Sequence, residues 1–318
     1  LRHSPTIVTK QYSGLIIKAQ SGFFTVHCEA GRIECRLRGQ LNHKRLDTDL
    51  ATIGDKVILD LLGDGTGLIN KVCERNRVLA RRPPSNTSAN KPRYKDHEIQ
   101  QVIIANPDQA IFVFSCQDPT PNLRMLDRFL VIAAANEIPA IICANKIDLV
   151  GAKKAKAIFG LYQDIGYRVL YTSTVNKQGI PELKSLLPGK ISALAGPSGV
   201  GKSTLLNTIN PDLGLRVNEI SSSNSKGRHT TVYPQLISVD DEGWVADTPG
   251  LRALDFFDIE PEELDAYFVE IAPLVSQCAF SNCTHTHEPK CAVVTALTRG
   301  QISALRYNSF LQMCKQNT

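Results

Sequence analysis

The feature that most constrains the fold is a glycine-rich turn between an apolar run and a helical pattern, ISALAGPSGVGKSTLLN at residues 191–207. The turn fits G-x-x-x-x-G-K-[ST], whose glycines leave room for backbone N–H groups to turn inward around phosphate oxygens. In this pattern the lysine reaches the terminal phosphates and the following hydroxyl ligates Mg²⁺. The chain is therefore predicted to bind a nucleoside triphosphate. The predicted contacts are Gly196, Pro197, Ser198, Gly199, Val200, Gly201, Lys202, Ser203 and Thr204, with Ser203 as a magnesium ligand.

Length and composition exclude several classes of protein. The 318 residues are 42% hydrophobic and 21% charged, which is typical of a globular chain of two or three domains of ~100–200 residues each. No apolar run reaches the ~18 residues of a membrane span, and no charged-then-apolar leader opens the chain, so we expect a cytoplasmic protein. The nine cysteines, an odd number without a secretion signal, favour thiols or metal ligands over a disulfide framework. We expect a monomer.

Positive charge is concentrated at the N-terminal end. Residues 1–97 contain 17 Lys and Arg against 9 Asp and Glu, while the whole chain contains 36 and 31. The first 97 residues therefore have a net charge of +8 and the remainder −3. This asymmetry predicts a polyanion partner near the N-terminus, with a merely solvated basic face as the alternative.

The same N-terminal part shows five short alternating runs bounded by Gly, Asp or Asn: GLIIKA, FFTVHCE, RIECRLRG, DKVILDLL and GLINKVCE. Five strands in about 70 residues favour a small closed barrel, because closure removes exposed strand edges. An OB-type barrel is favoured over an SH3-like barrel. Basic residues cluster around the third strand and the loop after it, where such barrels bind nucleic acid. The candidate RNA-binding residues are Arg32, Arg36, Arg38, Lys44 and Arg45; alternatively, they are only exposed strand positions.

A Pro-, Ser- and Asn-rich basic segment, RVLARRPPSNTSANKPRYKDHE, predicts a linker over residues 81–97. From residue 101 onward apolar runs alternate with helical patterns, beginning with QVIIANPD and QAIFVFSC. This alternation predicts a mainly parallel sheet covered on both faces. The segment PQLISVDDEGWVADTPG then predicts two strands joined by a polar turn.

The tetrapeptide NKID at residues 145–148 follows an apolar strand, where α/β sheets place ligand-binding loops. The Asp148 carboxylate can accept hydrogen bonds from the N1 and 2-amino groups of guanine, and Asn145 can meet the carbonyl edge. Adenine lacks that pair of donors, so the motif predicts selection of GTP over ATP. The TST that follows RVLY is predicted to supply a backbone contact to the guanine carbonyl. The predicted base contacts are Asn145, Lys146, Asp148, Ser173 and Thr174.

The segment DTPG at residues 247–250 completes a GTPase motif set. Asp247 is predicted to hold Mg²⁺ through water, and the Gly250 N–H to sense the γ-phosphate. Ordinary GTPases place the phosphate loop first and the guanine motifs last, whereas here both guanine motifs precede the phosphate loop. The order predicts a circular permutation, which compact domains tolerate because their termini lie close together. The second switch is then continuous with the C-terminal part, and we expect nucleotide state to be transmitted there.

The C-terminal part has a helical pattern after Pro261, then the cluster CAFSNCTHTHEPKC, and a final helical stretch from 292 to about 314. Three thiolates and one imidazole make a closed tetrahedral set for a structural Zn²⁺. The predicted ligands are Cys278, Cys283, His285 and Cys291, with His287 as a competing ligand. The remaining cysteines in strand-like runs are expected to be small core residues.

Permuted motif order, an N-terminal barrel and this cysteine cluster together resemble the ribosome small-subunit-dependent GTPase family (RsgA, also called YjeQ) over nearly the whole chain. The resemblance implies a GTPase that acts late in small-subunit maturation, binds ribosomal RNA near the decoding region and is strongly stimulated by the subunit. The expected fold is multidomain. It comprises an all-β OB-type barrel at 1–80, the linker at 81–97, a circularly permuted α/β P-loop GTPase domain at 98–257 and a mainly α zinc-binding domain at 258–318.

The expected catalytic residues follow partly from this resemblance. KGRHTT at residues 226–231 resembles the family's first switch, with Thr230, or Thr231 beside it, as a magnesium ligand. Leu251 stands where Ras-like enzymes carry a water-positioning glutamine, so intrinsic turnover should be slow. The resemblance favours His229 as the water-orienting group, acting with Lys202 and Thr230; alternatively, His229 contacts RNA or solvent. Two other functions stay open, a nucleotide-gated rRNA-binding module with incidental hydrolysis and a large-subunit assembly GTPase, while NKID disfavours a P-loop kinase or ATPase.

Overall fold

The computed structural model describes residues 10–39, 50–81, 101–215, 235–239, 243–247 and 259–316. These residues form two compact units. The first contains the described residues up to Pro107 together with residues 189–193, 235–239 and 243–247. The second contains residues 108–188, 194–215 and 259–316. Among the residues placed by the structure, no helix is both long and apolar enough to cross a membrane.

The first unit begins with a closed five-stranded barrel. Its strands are β1 (Gln11–Gln20), β2 (Phe23–Cys28), β3 (Gly31–Leu37), β4 (Lys56–Leu61) and β5 (Gly67–Val72). The strand order is β1-β2-β3-β5-β4, β3 and β5 run parallel, and antiparallel pairing of β1 with β4 closes the barrel. This is the Greek-key order of an OB-type barrel, so that prediction is confirmed and the SH3-like alternative is not. The alternating apolar residues fill the interior, where Ile16, Val26, Val57, Leu59 and Ile69 are fully buried.

Strands β6 (Val78–Arg81) and β7 (Gln101–Ala105) form an antiparallel two-stranded sheet. The first run of the predicted alternation, QVIIANPD, therefore begins with a strand that pairs outside the main sheet. The end of β7 is also bonded to the segment before β4, because the Ala105 N–H donates to the Ile53 carbonyl at 2.9 Å. A Cβ at Gly54 would lie 2.0 Å from the Ala105 oxygen, so only glycine permits this close approach.

The second unit contains the strand and helix alternation that the sequence predicted. Its elements are β8 (Gln109–Ser115), α1 (Leu123–Ala135), β9 (Ala140–Asn145), α2 (Ala152–Asp164), β10 (Arg168–Tyr171), α3 (Ile180–Ser185) and, after the phosphate loop, α4 (Lys202–Ile209). The strand before that loop, β11 (Ile191–Ala195), has its first three residues in the first unit and its last two in the second. The strands of this unit lie in the order β10-β9-β8, and β8–β9 and β9–β10 are parallel pairs. Every residue of β8 is buried, as expected for a strand covered on both faces.

The predicted hairpin is present in the first unit as β12 (Leu236–Ser238) and β13 (Trp244–Asp247), which pair antiparallel. It lies against the barrel at two points. An isolated bridge joins Lys18 to Gln235, and the rings of His27 and Trp244 are 5.2 Å apart.

The C-terminal part is mainly helical. It contains a 3₁₀ helix (Pro261–Tyr267), α5 (Ala272–Val275), α6 (Ala292–Thr298) and α7 (Ala304–Gln316). The expected single stretch from 292 to 314 is thus two helices, because Gly300 adopts a left-handed conformation (φ 70°) after the end of α6. Phe268 and Phe310 pack edge to face at the centre of this core, 5.5 Å apart.

A buried ionic cluster links α7 to α1 within the second unit. The Arg306 side chain is 1% exposed, and its guanidinium donates to Asp127 at 2.7 Å and to both oxygens of Glu270 at 2.6 and 3.1 Å. Asp127 also accepts from the Tyr162 hydroxyl at 2.7 Å, and the guanidinium lies 4.5 Å from the Phe268 ring centre. Every charge in this cluster therefore has a partner.

Candidate nucleotide and metal sites

The glycine-rich loop between β11 and α4 has the close backbone approaches that explain its glycines. Gly196 has φ 152°, and a Cβ there would lie 2.1 Å from the Val113 oxygen. Gly201 has φ 98°, and a Cβ there would lie 2.6 Å from the Asn145 amide nitrogen. Any larger residue at either position would push the loop away from the strands that hold it.

The lysine of the loop lies over its own backbone. The Lys202 ammonium donates to the carbonyls of Gly196 at 2.8 Å and Pro197 at 2.7 Å, so its charge is held at the mouth of the loop. Ser203 and Thr204 occupy the first turn of α4 and are partly exposed, and Ser198 and Gly199 are exposed at the tip. The loop thus places a cation and a hydroxyl beside one another, as phosphate and Mg²⁺ binding require.

The structure brings the NKID motif onto the phosphate loop. The Asn145 side chain is 1% exposed, and its amide donates to the Val200 carbonyl at 2.9 Å. The Lys146 ammonium donates to the Gly199 carbonyl at 2.8 Å and also to the Asp118 carbonyl. Asn145 was predicted to meet the guanine carbonyl edge, but its bonds here join the two motifs. Its base contact stays a prediction.

Thr172 and Ser173, which directly follow β10, fix the orientation of the NKID motif. The Thr172 hydroxyl donates to the Asn145 amide oxygen at 3.0 Å, so the amide nitrogen faces Val200. The Ser173 hydroxyl donates to Asp148 Oδ1 at 2.5 Å. Thr172 is fully buried. It belongs to the TST segment that is predicted to supply a backbone contact, but this role of its side chain is not predicted. A threonine ending an apolar strand opposite NKID was the available signal.

The guanine-selective carboxylate lies at the edge of this arrangement. Asp148 is exposed, with one oxygen held by Ser173, and Thr174 is partly exposed in the same turn. Behind it, burial raises the pKa of the Cys143 thiol to about 12. Burial, with a smaller contribution from the charge of Asp148, raises the pKa of the Cys116 thiol to about 11. These thiols are therefore neutral. The negative charge that can accept hydrogen bonds from guanine is that of the Asp148 carboxylate.

Several predicted site residues cannot be placed. Lys44, Arg45, His229, Thr230 and Gly250 lie outside the described residues, as do Thr231 and Leu251. Asp247 ends β13, but its side chain is not described. The three other basic candidates lie on or just after β3, and all are exposed. Of these, Arg36 lies over the Phe23 ring at 4.4 Å, and Arg38 is 3.8 Å from Asp60.

The four predicted zinc ligands converge. One ligand atom each from Cys278, Cys283, His285 and Cys291 lies within 4.8 Å of the others. Zn–S bonds of ~2.3 Å and Zn–N bonds of ~2.0–2.1 Å put two sulfurs about 3.8 Å apart, and a sulfur and a nitrogen about 3.6 Å apart, at the corners of a tetrahedron. Cys278 and Cys291 have their sulfurs 3.9 Å apart, and each lies 3.6 or 3.5 Å from His285 Nδ1. The residues present therefore fit a tetrahedral zinc ion.

Neighbouring groups orient the histidine of this set. The His285 ring is 1% exposed, and its Nε2 lies 3.0 Å from Asp265 Oδ2, which leaves Nδ1 facing the thiols. The Tyr307 hydroxyl donates to the His285 carbonyl at 2.6 Å. A carboxylate on the far nitrogen is the usual support of a metal-binding histidine. His287 lies outside the set and is exposed, with its Nδ1 2.8 Å from the Thr286 hydroxyl.

The chain matches two family models. Residues 72–257 match the model described as RsgA GTPase, and residues 13–69 match the model described as RsgA N-terminal domain. Proteins named small ribosomal subunit biogenesis GTPase RsgA are similar over nearly their whole length. The protein from Alkaliphilus metalliredigens is 40% identical, over 94% of this chain and 96% of its own. The protein from Moorella thermoacetica is 41% identical, over 94% of both chains.

The chain is also similar to solved structures over almost its whole length. YjeQ from Thermotoga maritima superposes with a TM-score of 0.78 at 35% identity, covering 97% of this chain and 99% of its own. YloQ, described as a circularly permuted GTPase, superposes with a TM-score of 0.74 at 33% identity, covering 100% and 98%. Because the GTPase model spans more than half of the sequence and these relatives match it almost from end to end, the chain belongs to the RsgA GTPase family.

Proposed function

We propose that this chain is a GTPase that binds the small ribosomal subunit and hydrolyses GTP to GDP and phosphate during late small-subunit maturation. The observation that carries the proposal is the direct contact between NKID and the phosphate loop, through Asn145 to Val200 and Lys146 to Gly199. It occurs in a chain about 40% identical to proteins named for small-subunit biogenesis. Base selection and phosphate binding are thereby held in one rigid site.

The roles of the site residues follow from their chemistry. Asp148, held by Ser173, accepts hydrogen bonds from guanine, and Lys202 binds the terminal phosphates. Ser203, Thr230 and Asp247 would hold magnesium, which neutralises charge on the β- and γ-phosphates when it is bound.

The first switch and the position after DTPG determine how fast the enzyme turns over. Leu251 cannot orient an attacking water, so intrinsic hydrolysis is slow. His229 supplies that function when the small subunit engages the chain, which makes hydrolysis subunit-stimulated.

The zinc ion has a structural role in this proposal. Its four ligands leave no open coordination position, which is the arrangement of structural rather than catalytic zinc. It would hold together the C-terminal part, which follows directly after the second switch. Nucleotide state is transmitted along that continuous segment. Limited proteolysis with a GTP analogue and with GDP tests this, and identical patterns would count against it.

The remaining parts of the proposal concern partners and organisation. The barrel contacts ribosomal RNA near the decoding region, and the chain acts as a cytoplasmic monomer. We keep the domain bounds 1–80, 98–257 and 258–318, with the linker at 81–97, as part of the proposal. The closed OB-type barrel supports the RNA-binding role, since this fold commonly binds oligonucleotides on its strand 2–3 face.

Hydrolysis at saturating GTP, measured with and without small ribosomal subunits and with large subunits as control, tests the function. Strong stimulation by small subunits alone is expected. His229→Ala should keep GTP affinity and lose most of the stimulated rate, while the matched variant His287→Ala, at an exposed site, should keep it. Stimulation by large subunits alone would instead identify the large subunit as the partner. Guanine nucleotide binding without stimulation would favour a nucleotide-gated rRNA-binding module, the function that Leu251 leaves open.

A further inference from the structure

The outer face of strands β1, β2 and β3 carries a hollow of about 340 Å³. Side chains that alternate along these strands point to the same face, so the strand register brings two cross-strand rows together. One row is Gln20, Phe23 and Arg36, and the other is Lys18, Thr25 and Glu34. The hollow is lined by Lys18, Gln20, Ser21, Phe23, Thr25 and Glu34. Arg36 borders it through its contact with the Phe23 ring.

An exposed pair of an aromatic ring and a guanidinium lies at the hollow. Phe23 is 44% exposed, and the Arg36 guanidinium lies 4.4 Å from its ring centre. A single exposed phenylalanine needs no explanation. A ring held next to a guanidinium is different, because both groups stack well on nucleobases.

The second row supplies polar groups next to that platform. The Thr25 hydroxyl donates to Glu34 Oε1 at 2.6 Å, which fixes the carboxylate and leaves Oε2 able to accept from another donor. A carboxylate repels phosphate but accepts readily from base N–H groups. The exposed Lys18 ammonium at the other end of the row attracts phosphate. The hollow thus separates a base-binding end from a backbone-binding end.

We propose that this hollow binds an unpaired RNA base, stacked on Phe23 and Arg36 with its N–H edge toward Glu34. A base in a duplex has both faces covered by its neighbours, so the site selects single-stranded RNA. The proposal rests on the proposed function, because it specifies how the barrel recognises ribosomal RNA.

Binding of short labelled oligoribonucleotides to the full chain, measured by fluorescence anisotropy, tests the platform. Phe23→Ala should weaken binding of single strands by about 5- to 100-fold, the usual effect of losing one stacked base. Phe23→Leu, which keeps an apolar side chain but no ring, should weaken it similarly, and Phe23→Trp should retain it. The matched control is Leu62→Ala, which shortens another exposed apolar side chain of the barrel, 39% exposed, and should bind like the wild type.

Salt dependence separates stacking from phosphate binding. Phe23→Ala should leave the slope of log affinity against log salt unchanged, whereas Lys18→Ala should reduce it by about 0.7, the value for one phosphate contact on a single strand. Glu34→Gln should weaken guanine-containing strands more than uridine strands, because guanine offers more N–H donors to the carboxylate.

Three results would overturn the site: no binding of single strands by the wild type, wild-type affinity in both Phe23→Ala and Phe23→Leu, or an equal preference for duplex RNA. Subunit-stimulated GTP hydrolysis by the wild type is measured in parallel. If stimulation is present without any Phe23 effect, the base site alone fails. If oligonucleotide binding depends on Phe23 without stimulation, the site stands and the proposed function fails.

Discussion

The buried ionic cluster between α7 and α1 gives the sharpest stability prediction. Arg306→Ala would remove the cation that bonds Asp127 and Glu270, whose side chains are only 3% and 6% exposed. Burial opposes the charged form of the guanidinium, but hydrogen bonds to Glu270 and the charge of Asp127 outweigh it and raise the Arg306 pKa. Two buried carboxylates would then lack the cation that compensates their charge. Breaking a buried pair in this way costs about 3–5 kcal/mol.

The expected loss is large enough to measure by thermal unfolding followed by circular dichroism, with zinc and GDP concentrations held constant. For a unit of this size the loss corresponds to a fall in Tm on the order of 10 °C. Arg299→Ala, which truncates an exposed arginine just after α6, should change stability by about 0.5 kcal/mol or less.

A rescue variant separates the charge from the packing. Replacing Arg306, Asp127 and Glu270 together by apolar residues of similar volume should recover most of the loss, since no buried charge then remains. A loss below ~1 kcal/mol in Arg306→Ala, or no recovery in the triple variant, would refute the view that charge compensation holds α7 to α1.

Three further predictions concern the two sites. Cys283→Ser should lower the zinc content measured by mass spectrometry of the native protein from one ion per chain and loosen the C-terminal part, while guanine nucleotide still binds; loss of both together would contradict independent sites. Gly196→Ala should abolish GTP binding in calorimetry, because its Cβ would lie 2.1 Å from the Val113 oxygen, while Gly63→Ala, which meets no atom within 4 Å, should have no effect. Asp148→Ala should weaken GTP by at least ~100-fold in nucleotide competition and leave ATP unchanged; an equal loss for both nucleotides would exclude base selection.

Much of the architecture could be predicted because it is encoded in local patterns. The alternation of apolar residues gave all five barrel strands, and the spacing of cysteines and histidines gave a cluster whose ligand atoms converge. The parallel pairing of β3 with β5, which distinguishes the OB order, joins strands separated by a loop and another strand. Such a pairing cannot be predicted from the residue pattern of either strand alone.

What could not be predicted depends on contacts between distant residues. Residues 101–105 have the same apolar pattern as a strand of the main sheet. Their position is set by contacts with distant residues, the pairing with β6 and the close approach to Gly54. The burial of Arg306 cannot be predicted from its own helix, because its partner Asp127 lies 179 positions away. The side-chain role of Thr172 could not be predicted for the same reason, since it depends on the orientation of the Asn145 amide.

The contact between the hairpin and the barrel has a practical consequence. Trp244 is the only tryptophan in the chain, and its ring lies 5.2 Å from His27 of the barrel. In sequence, its strand lies between the segment that resembles the first switch and the DTPG that ends the GTPase motifs. Because indole emission depends on its surroundings, the intensity and wavelength of that emission report on the hairpin alone. The molecule therefore contains its own optical probe of the hairpin, which can be read in unlabelled protein.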